Sequence, residues 1–271
     1  MMNYVRPDGR THDSIRPLIF SYDVFGYAPA SVMLEQGNTK VLASVTLQPG
    51  VPSFLKGQKK GWLSAEYALL PTATHQRTNR ESSQAQRNAR SVEISRLIGR
   101  CLRTTIDLDA IGERSITIDC DVLQADGSTR VACITAASLA LKIAAQRWSE
   151  NRILPITIYK EQIAGVSVGV IGNNVLADLS YAEDFSVDAD FNFVLSEHGK
   201  IIEIQGTCEK NPIDWDMFEK LKNIASSSAQ HIFNSCNSDT LNSLTPLATE
   251  QKPNQSHTPF FSLSGRISKS A

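Results

Sequence analysis

Residues 131–148, VACITAASLALKIAAQRW, are apolar on almost every side, and a helix without a polar face has to be enclosed in the middle of a domain. Its cover must come from the rest of the chain, which reads largely as strands. Ser115 to Gln124, SITIDCDVLQ, alternates Ile116, Ile118, Cys120 and Val122, a period of two that suits a strand with one buried face. Asp126-Gly127-Ser128-Thr129-Arg130 joins this strand to the apolar helix. SVMLEQG and TKVLASVTL flank the turn-like Gly37-Asn38 and predict a hairpin. Two more hairpins are expected, one around Gly172-Asn173-Asn174 and one around His198-Gly199. Ile94, Leu97, Ile98, Cys101 and Leu102 recur at helical spacing within Ala85 to Arg103, and Met217, Phe218, Leu221, Ile224 and Ala225 do so within Asp214 to Phe233. Two successive β-rich then α blocks fit a duplicated βα unit.

From about Asn237 onward Ser, Thr, Asn, Gln and Pro prevail. Such a segment cannot bury enough apolar surface to offset its ordering entropy, so residues 1–236 are expected to form the domain and 237–271 a disordered polar tail. The domain is large enough, and at 41% hydrophobic residues apolar enough, to hold together without disulfides or zinc. The five cysteines are odd in number, far apart and without a C-x-x-C pair, which suits a reduced, intracellular chain. The N-terminus has no apolar run behind its positive charge and no stretch is long enough to span a bilayer, so neither export nor membrane insertion is expected.

Overall charge is balanced, 27 basic against 28 acidic residues, and predicts no polyanion partner by itself. The distribution is uneven. Residues 77–103 carry seven arginines against only Glu81 and Glu93, while Asp178, Glu183, Asp184, Asp188 and Asp190 crowd a stretch without Lys or Arg. Gly127-Ser128-Thr129-Arg130, between strand and helix, is an anion site by physics: free N–H groups at a helix N-terminus, small hydroxyls and one guanidinium converge. Simple N-capping by Ser128 or Thr129 is the plain alternative, and the segment lacks the pattern of a P-loop. On a helical wheel Arg96, Arg100 and Arg103 fall on a solvated face, whereas Arg90 falls on the apolar side, where it needs an anion or a carboxylate. Arg77 and Arg80 lie in an aperiodic polar loop suited to a phosphate backbone, or are ordinary surface charge. The acidic cluster suits a hard cation, Mg²⁺ or Mn²⁺, with Asp184 and Asp190 able to point to one spot, or is a solvated turn. An EF-hand is excluded, because Phe193 stands where that loop demands Gly. The five histidines show no metal spacing and no hydrolase triad is legible.

RPDGR at Arg6, VPSFLKGQ at Val51, GWLSAEYALLP at Gly61, THQRTNRESS at Thr74, SVEISRLIGRCLR at Ser91, CDVLQADGSTR at Cys120 and YAEDFSVDADFN at Tyr181 stand in a fixed order. From about Arg6 to Asn234 the chain thereby resembles the ribonuclease PH family of phosphorolytic 3′-to-5′ exoribonucleases. The resemblance implies an α+β fold of two related halves, each a four-stranded-type sheet with helices against one side, of the kind seen in domain 2 of ribosomal protein S5. It implies a homohexameric ring, a trimer of dimers. It places inorganic phosphate on Arg90, Ser128, Thr129 and Arg130, and both chemistry and Mg²⁺ on Asp184 and Asp190, with Asp178 a less certain neighbour. It gives Arg77, Arg80 and Arg96 to RNA, while Thr72 stands where the family pattern has another arginine.

The implied reaction is attack of inorganic phosphate on the last phosphodiester of an RNA 3′ end, releasing a nucleoside 5′-diphosphate, and reversible because it is near balance. The implied role is trimming nucleotides beyond the 3′ CCA of tRNA precursors in the cytoplasm. Two rivals remain: a non-catalytic RNA-binding ring subunit of the same fold, and a Mg²⁺-dependent hydrolytic nuclease.

Overall fold

The computed structural model describes residues 4–81 and 88–243, with side chains through 237. Its strands are β1 (Leu18–Tyr22), β2 (Ala30–Gln36), β3 (Thr39–Pro49), β4 (Trp62–Leu69), β5 (Arg114–Gln124), β6 (Ile163–Ile171), β7 (Asn174–Ala177), β8 (Ala189–Ser196) and β9 (Ile201–Cys208). Its helices are α1 (Ala89–Thr104), α2 (Leu108–Ile111), α3 (Thr129–Glu150), α4 (Tyr181–Asp184) and α5 (Trp215–Ser243). The three predicted hairpins are β2–β3, β6–β7 and β8–β9, all antiparallel.

Two sheets result. The first has five strands in the order β1-β2-β3-β5-β4, and the second has four in the order β7-β6-β8-β9. The fifth strand of the first sheet, one more than the resemblance implied, is β4, which pairs in parallel with β5. Parallel neighbours need a crossover, and α1 supplies it while packing on β4. The apolar helix α3 lies between the sheets, against β2 and β3 on one side and β6 on the other, and fifteen of its residues are buried.

Its few polar side chains are explained by the second sheet. Strand β7 is short and pairs only with residues 168–171 of β6. The N–H groups of Ile163 and Gly165 beyond it donate instead to Ser138 Oγ and Thr135 Oγ1 of α3, each at 3.0 Å. The helix approaches so closely that a Cβ on Gly165 would lie 2.8 Å from Val131 Cβ. One hydrophobic core spans both sheets.

Helix α5 packs on β6, β7 and β1. Leu221, Ala225, Ala229, Ile232, Phe233 and Cys236 form its buried stripe. Because that stripe continues beyond Phe233, so does the helix, through Ser243 and past the expected boundary at 236. The rest of the expected tail, 244–271, lies outside the described residues, as does 85–87 of the predicted first helix. Among the described residues no helix is long and apolar enough to cross a membrane.

Candidate active site

The turn between β5 and α3 is held by its surroundings before any ligand binds. Thr39 Oγ1 donates to Gly127 O at 2.7 Å and accepts from Asp126 N at 3.1 Å. Gly127 has φ +80°, and a Cβ there would sit 2.8 Å from the carbonyl carbon of Ser180 and 2.9 Å from Tyr181 N. Only glycine permits both that backbone and that approach. Ser128 follows in the left-handed region, φ 59°, and α3 starts at Thr129. The first N–H groups of α3 therefore open toward the segment that carries α4.

The Ser128 hydroxyl does not join them. It lies 2.6 Å from Ser167 Oγ, 3.1 Å from Asp178 Oδ1 and 3.0 Å from Leu179 O. The expectation that the small hydroxyls of this turn converge on the anion is thus corrected at Ser128, whose side chain is spent on tying two loops together. Thr129 Oγ1 is 3.1 Å from the Tyr67 hydroxyl. Arg130 is partly exposed and loosely engaged, 3.6 Å from Glu93 and 3.4 Å from Gln205 Oε1, which leaves its guanidinium available.

The acidic cluster separates into structural and free members. Asp178 is 1% exposed. It accepts from Arg16 N at 2.7 Å, Arg16 Nε at 2.8 Å, Arg16 Nη2 at 2.6 Å and Gln36 Nε2 at 2.7 Å. Burial alone would raise the Asp178 carboxyl, but the Arg16 guanidinium overrides it and holds the group below the usual aspartate range. Glu183 is paired with Arg6 through two bonds of 2.7 and 2.8 Å, and Asp188 with Lys210 at 2.9 Å.

Asp184 and Asp190 remain without a cationic partner in hydrogen-bond contact among the described residues. Asp184, at the end of α4, is exposed and Asp190, at the start of β8, is half-buried. Burial, and then the charge of Asp184, push the Asp190 carboxyl up to about 6, against an opposing pull from Arg130. Partial desolvation likewise raises Asp184, opposed by Arg90 and Arg130. Two carboxylates from one loop, Arg90 from α1 and Arg130 from α3 thus act on one another across a single opening.

Among the described residues no group of three or more His, Cys, Asp or Glu side chains converges as a metal cage. The pair nevertheless fits Mg²⁺, which takes one or two carboxylates and completes its shell with water and substrate phosphate.

Arg90 reaches this opening by a different route from the one its helical position suggests. It is exposed, not buried among apolar side chains. It occupies the first turn of α1, where side chains tilt back over the helix N-terminus, and the buried stripe begins only at Ser91 and Ile94. Arg77 and Arg80 are exposed on the loop after β4, and Arg96 is exposed on α1, as a solvated face requires. On that loop His75 lies against Tyr181 of α4, ring centroids 5.1 Å apart and planes inclined by 53°.

Tyr67 is the member of this framework that sequence reasoning missed, whereas Asp178, expected as a neighbour of the catalytic pair, is bound to Arg16 and serves the framework instead. Burial raises the Tyr67 phenol, while the Thr129 hydroxyl and the charges of Arg90 and Arg130 pull it down. Its signal was the alternation of GWLSAEYALLP, which marks a buried face but no partner. A separate cleft beside Tyr67 is lined by Glu66, Glu81, Asp119 and Asp121. Burial and mutual repulsion with Asp121 and Glu66 raise Asp119, and such a lining repels phosphate.

Solved structures of the same fold include rice (Oryza sativa) Rrp46, with TM-score 0.70 and 18% identity, covering 86% of this chain and 99% of that one. The Archaeoglobus fulgidus exosome with RNA bound to the active site gives TM-score 0.70 and 20% identity over 85% of this chain and 92% of that one. An archaeal exosome core gives 0.68 and 20% over 86% and 91%. At these identities the likeness shows a shared fold. Models of domain 1 and domain 2 of the 3′ exoribonuclease family match residues 14–145 and 161–228, and the chain belongs to that family.

Proposed function

We propose that the protein is a phosphorolytic 3′-to-5′ exoribonuclease. The observation that carries this reading is the meeting of an anion site, built from the α3 N-terminus with Arg90 and Arg130, with the Asp184–Asp190 pair. Inorganic phosphate is held by the two guanidiniums and by main-chain N–H groups of residues 128–130. One of its oxygens attacks the last phosphodiester, the bond to the upstream 3′ oxygen breaks, and the terminal nucleotide leaves as a nucleoside 5′-diphosphate. Phosphoryl transfer asks mainly for positioning and neutralised charge. Asp184 and Asp190 would hold Mg²⁺, which supplies charge neutralisation at the attacked phosphate when bound. One of the two carboxylates can also carry a proton to the departing 3′ oxygen.

The physiological substrate we infer is the 3′ extension beyond CCA on tRNA precursors, processed by a homohexameric ring. That an exosome of this fold binds RNA at its active site supports an RNA substrate. A non-catalytic ring subunit would not need both charged sets, and a hydrolase would not need the anion site. The deciding experiment is RNA shortening with and without inorganic phosphate, products identified. Phosphate dependence with nucleoside diphosphates is expected; phosphate-independent release of monophosphates would establish the hydrolase, and no shortening the binding subunit.

Within that assay, Arg130→Ala and Arg90→Ala are each expected to weaken phosphate saturation about 10- to 150-fold, since each removes a charge-assisted contact worth about 1.5–3 kcal/mol. Unchanged phosphate saturation in both variants would remove the anion from this site.

A further inference from the structure

Tyr181 and His75 are exposed and are not used by the chemistry above. Tyr181 is 50% exposed, an unusual setting for an aromatic ring on a short helix beside two carboxylates. Its main chain is fixed against the phosphate turn: Tyr181 N lies 3.4 Å from Asp126 Oδ1, and the Gly127 backbone packs against Ser180 and Tyr181. The ring therefore keeps a set position relative to the α3 N-terminus. Asp184 is three residues further along the same turn of α4, so the two side chains are neighbours, about 5–6 Å apart at Cβ. His75 lies against the Tyr181 ring, and Arg77, two residues on, is exposed in the same loop.

An exposed aromatic ring on the same helical turn as Asp184, packed against a loop that also carries an arginine, is a seat for an unpaired base. We propose that Tyr181, backed by His75, stacks the base of the 3′-terminal nucleotide and so positions its phosphodiester at Asp184 and Asp190. The inference rests on the phosphorolytic reading and makes Tyr181 a positioning residue. Stacking is tolerant of base identity, because every base has a π face. Selectivity is therefore for a base-bearing, unpaired end over an abasic one.

The test uses the full chain and short unpaired RNAs that end in 2-aminopurine or in an abasic residue. Without phosphate, the parent protein should quench the terminal 2-aminopurine and bind the base-bearing RNA about tenfold more tightly than the abasic one, in the lower half of the range for one stacked base. Tyr181→Ala should lose both effects and raise KM for RNA with phosphate saturation unchanged. Tyr181→Phe should retain both, and His75→Ala, on an exposed loop, should weaken both.

A Tyr181→Ala variant that keeps the quench and the preference for a base overturns the proposal. So does a parent protein that shortens RNA with phosphate yet shows neither effect, in which case the phosphorolytic reading stands. Quenching and preference without phosphate-dependent shortening would support the seat and overturn the reaction. A parent that neither binds nor shortens RNA overturns both.

Discussion

Replacing Asp178 by alanine is expected to lower stability by about 3–5 kcal/mol, the usual cost of leaving one member of a buried ion pair without its partner. Arg16 is 4% exposed and would be stranded. The same substitution removes one of the three contacts of Ser128 Oγ and the carboxylate partner of Gln36 Nε2, so the phosphate turn is loosened together with the fold. Thermal unfolding should shift down by about 10 °C, given about 2–4 °C per kcal/mol for a chain of this size. Arg16→Ala should do comparable damage, and replacing both residues with apolar ones should cost less than either single change.

The pH dependence of this network has a definite sign. The folded carboxyl lies below its ordinary value of 3.8, so its contribution is present above that value and is lost as pH falls through the lower folded pKa. Parent and Asp178→Ala should therefore differ most at neutral pH and converge in strong acid. A neutral-pH melting temperature equal to that of the parent would show that the network is not structural.

Asp178 also shows where sequence reading stops. Alternation identified β5 and helical spacing α1 and α5, because a buried face leaves a periodic trace in one dimension, while an unbroken apolar run marked α3 and turn residues marked the three hairpins. The acidic stretch left no trace that separates Asp178, Glu183 and Asp188 from Asp184 and Asp190. Their partners, Arg16, Arg6 and Lys210, come from other parts of the chain, and periodicity says which face is buried but not which charge lies across from it.

Arg90 illustrates a second limit. A helical wheel places it on the apolar side, yet the wheel has no ends, and a first-turn residue projects past the helix instead of into the core. Strand β4 illustrates a third: its parallel place beside β5 depends on the crossover through α1, which no local pattern encodes. Helix α5 passes Phe233 because Cys236 still has a buried position to fill, although the composition around it already reads as tail. The family motifs supplied what periodicity could not, namely that Arg90, Arg130, Asp184 and Asp190 belong together.

The largest effect on turnover is expected at that pair. Asp184→Asn and Asp190→Asn each keep the side-chain size and remove one charge, and turnover should fall at least about 100-fold, on the scale seen when a dominant electrostatic stabiliser is lost. RNA affinity at low salt should hold or rise, because a negative charge beside a polyanion has gone. For Asp190 the stability change has a worked sign. Its folded pKa, about 6, exceeds the ordinary 3.8, so the protonated form is favoured in the fold, and that advantage, complete below 3.8, is lost as pH rises through 6. In metal-free buffer at pH 7 the ionised parent therefore carries a penalty of up to about 3 kcal/mol that Asp190→Asn relieves. The variant should melt above the parent at pH 7, and the gain should vanish near pH 4. Near-parental turnover in both variants would mean a solvated acidic turn, and weakened RNA binding with a lowered melting temperature at pH 7 would mean that these aspartates hold the structure instead of the chemistry.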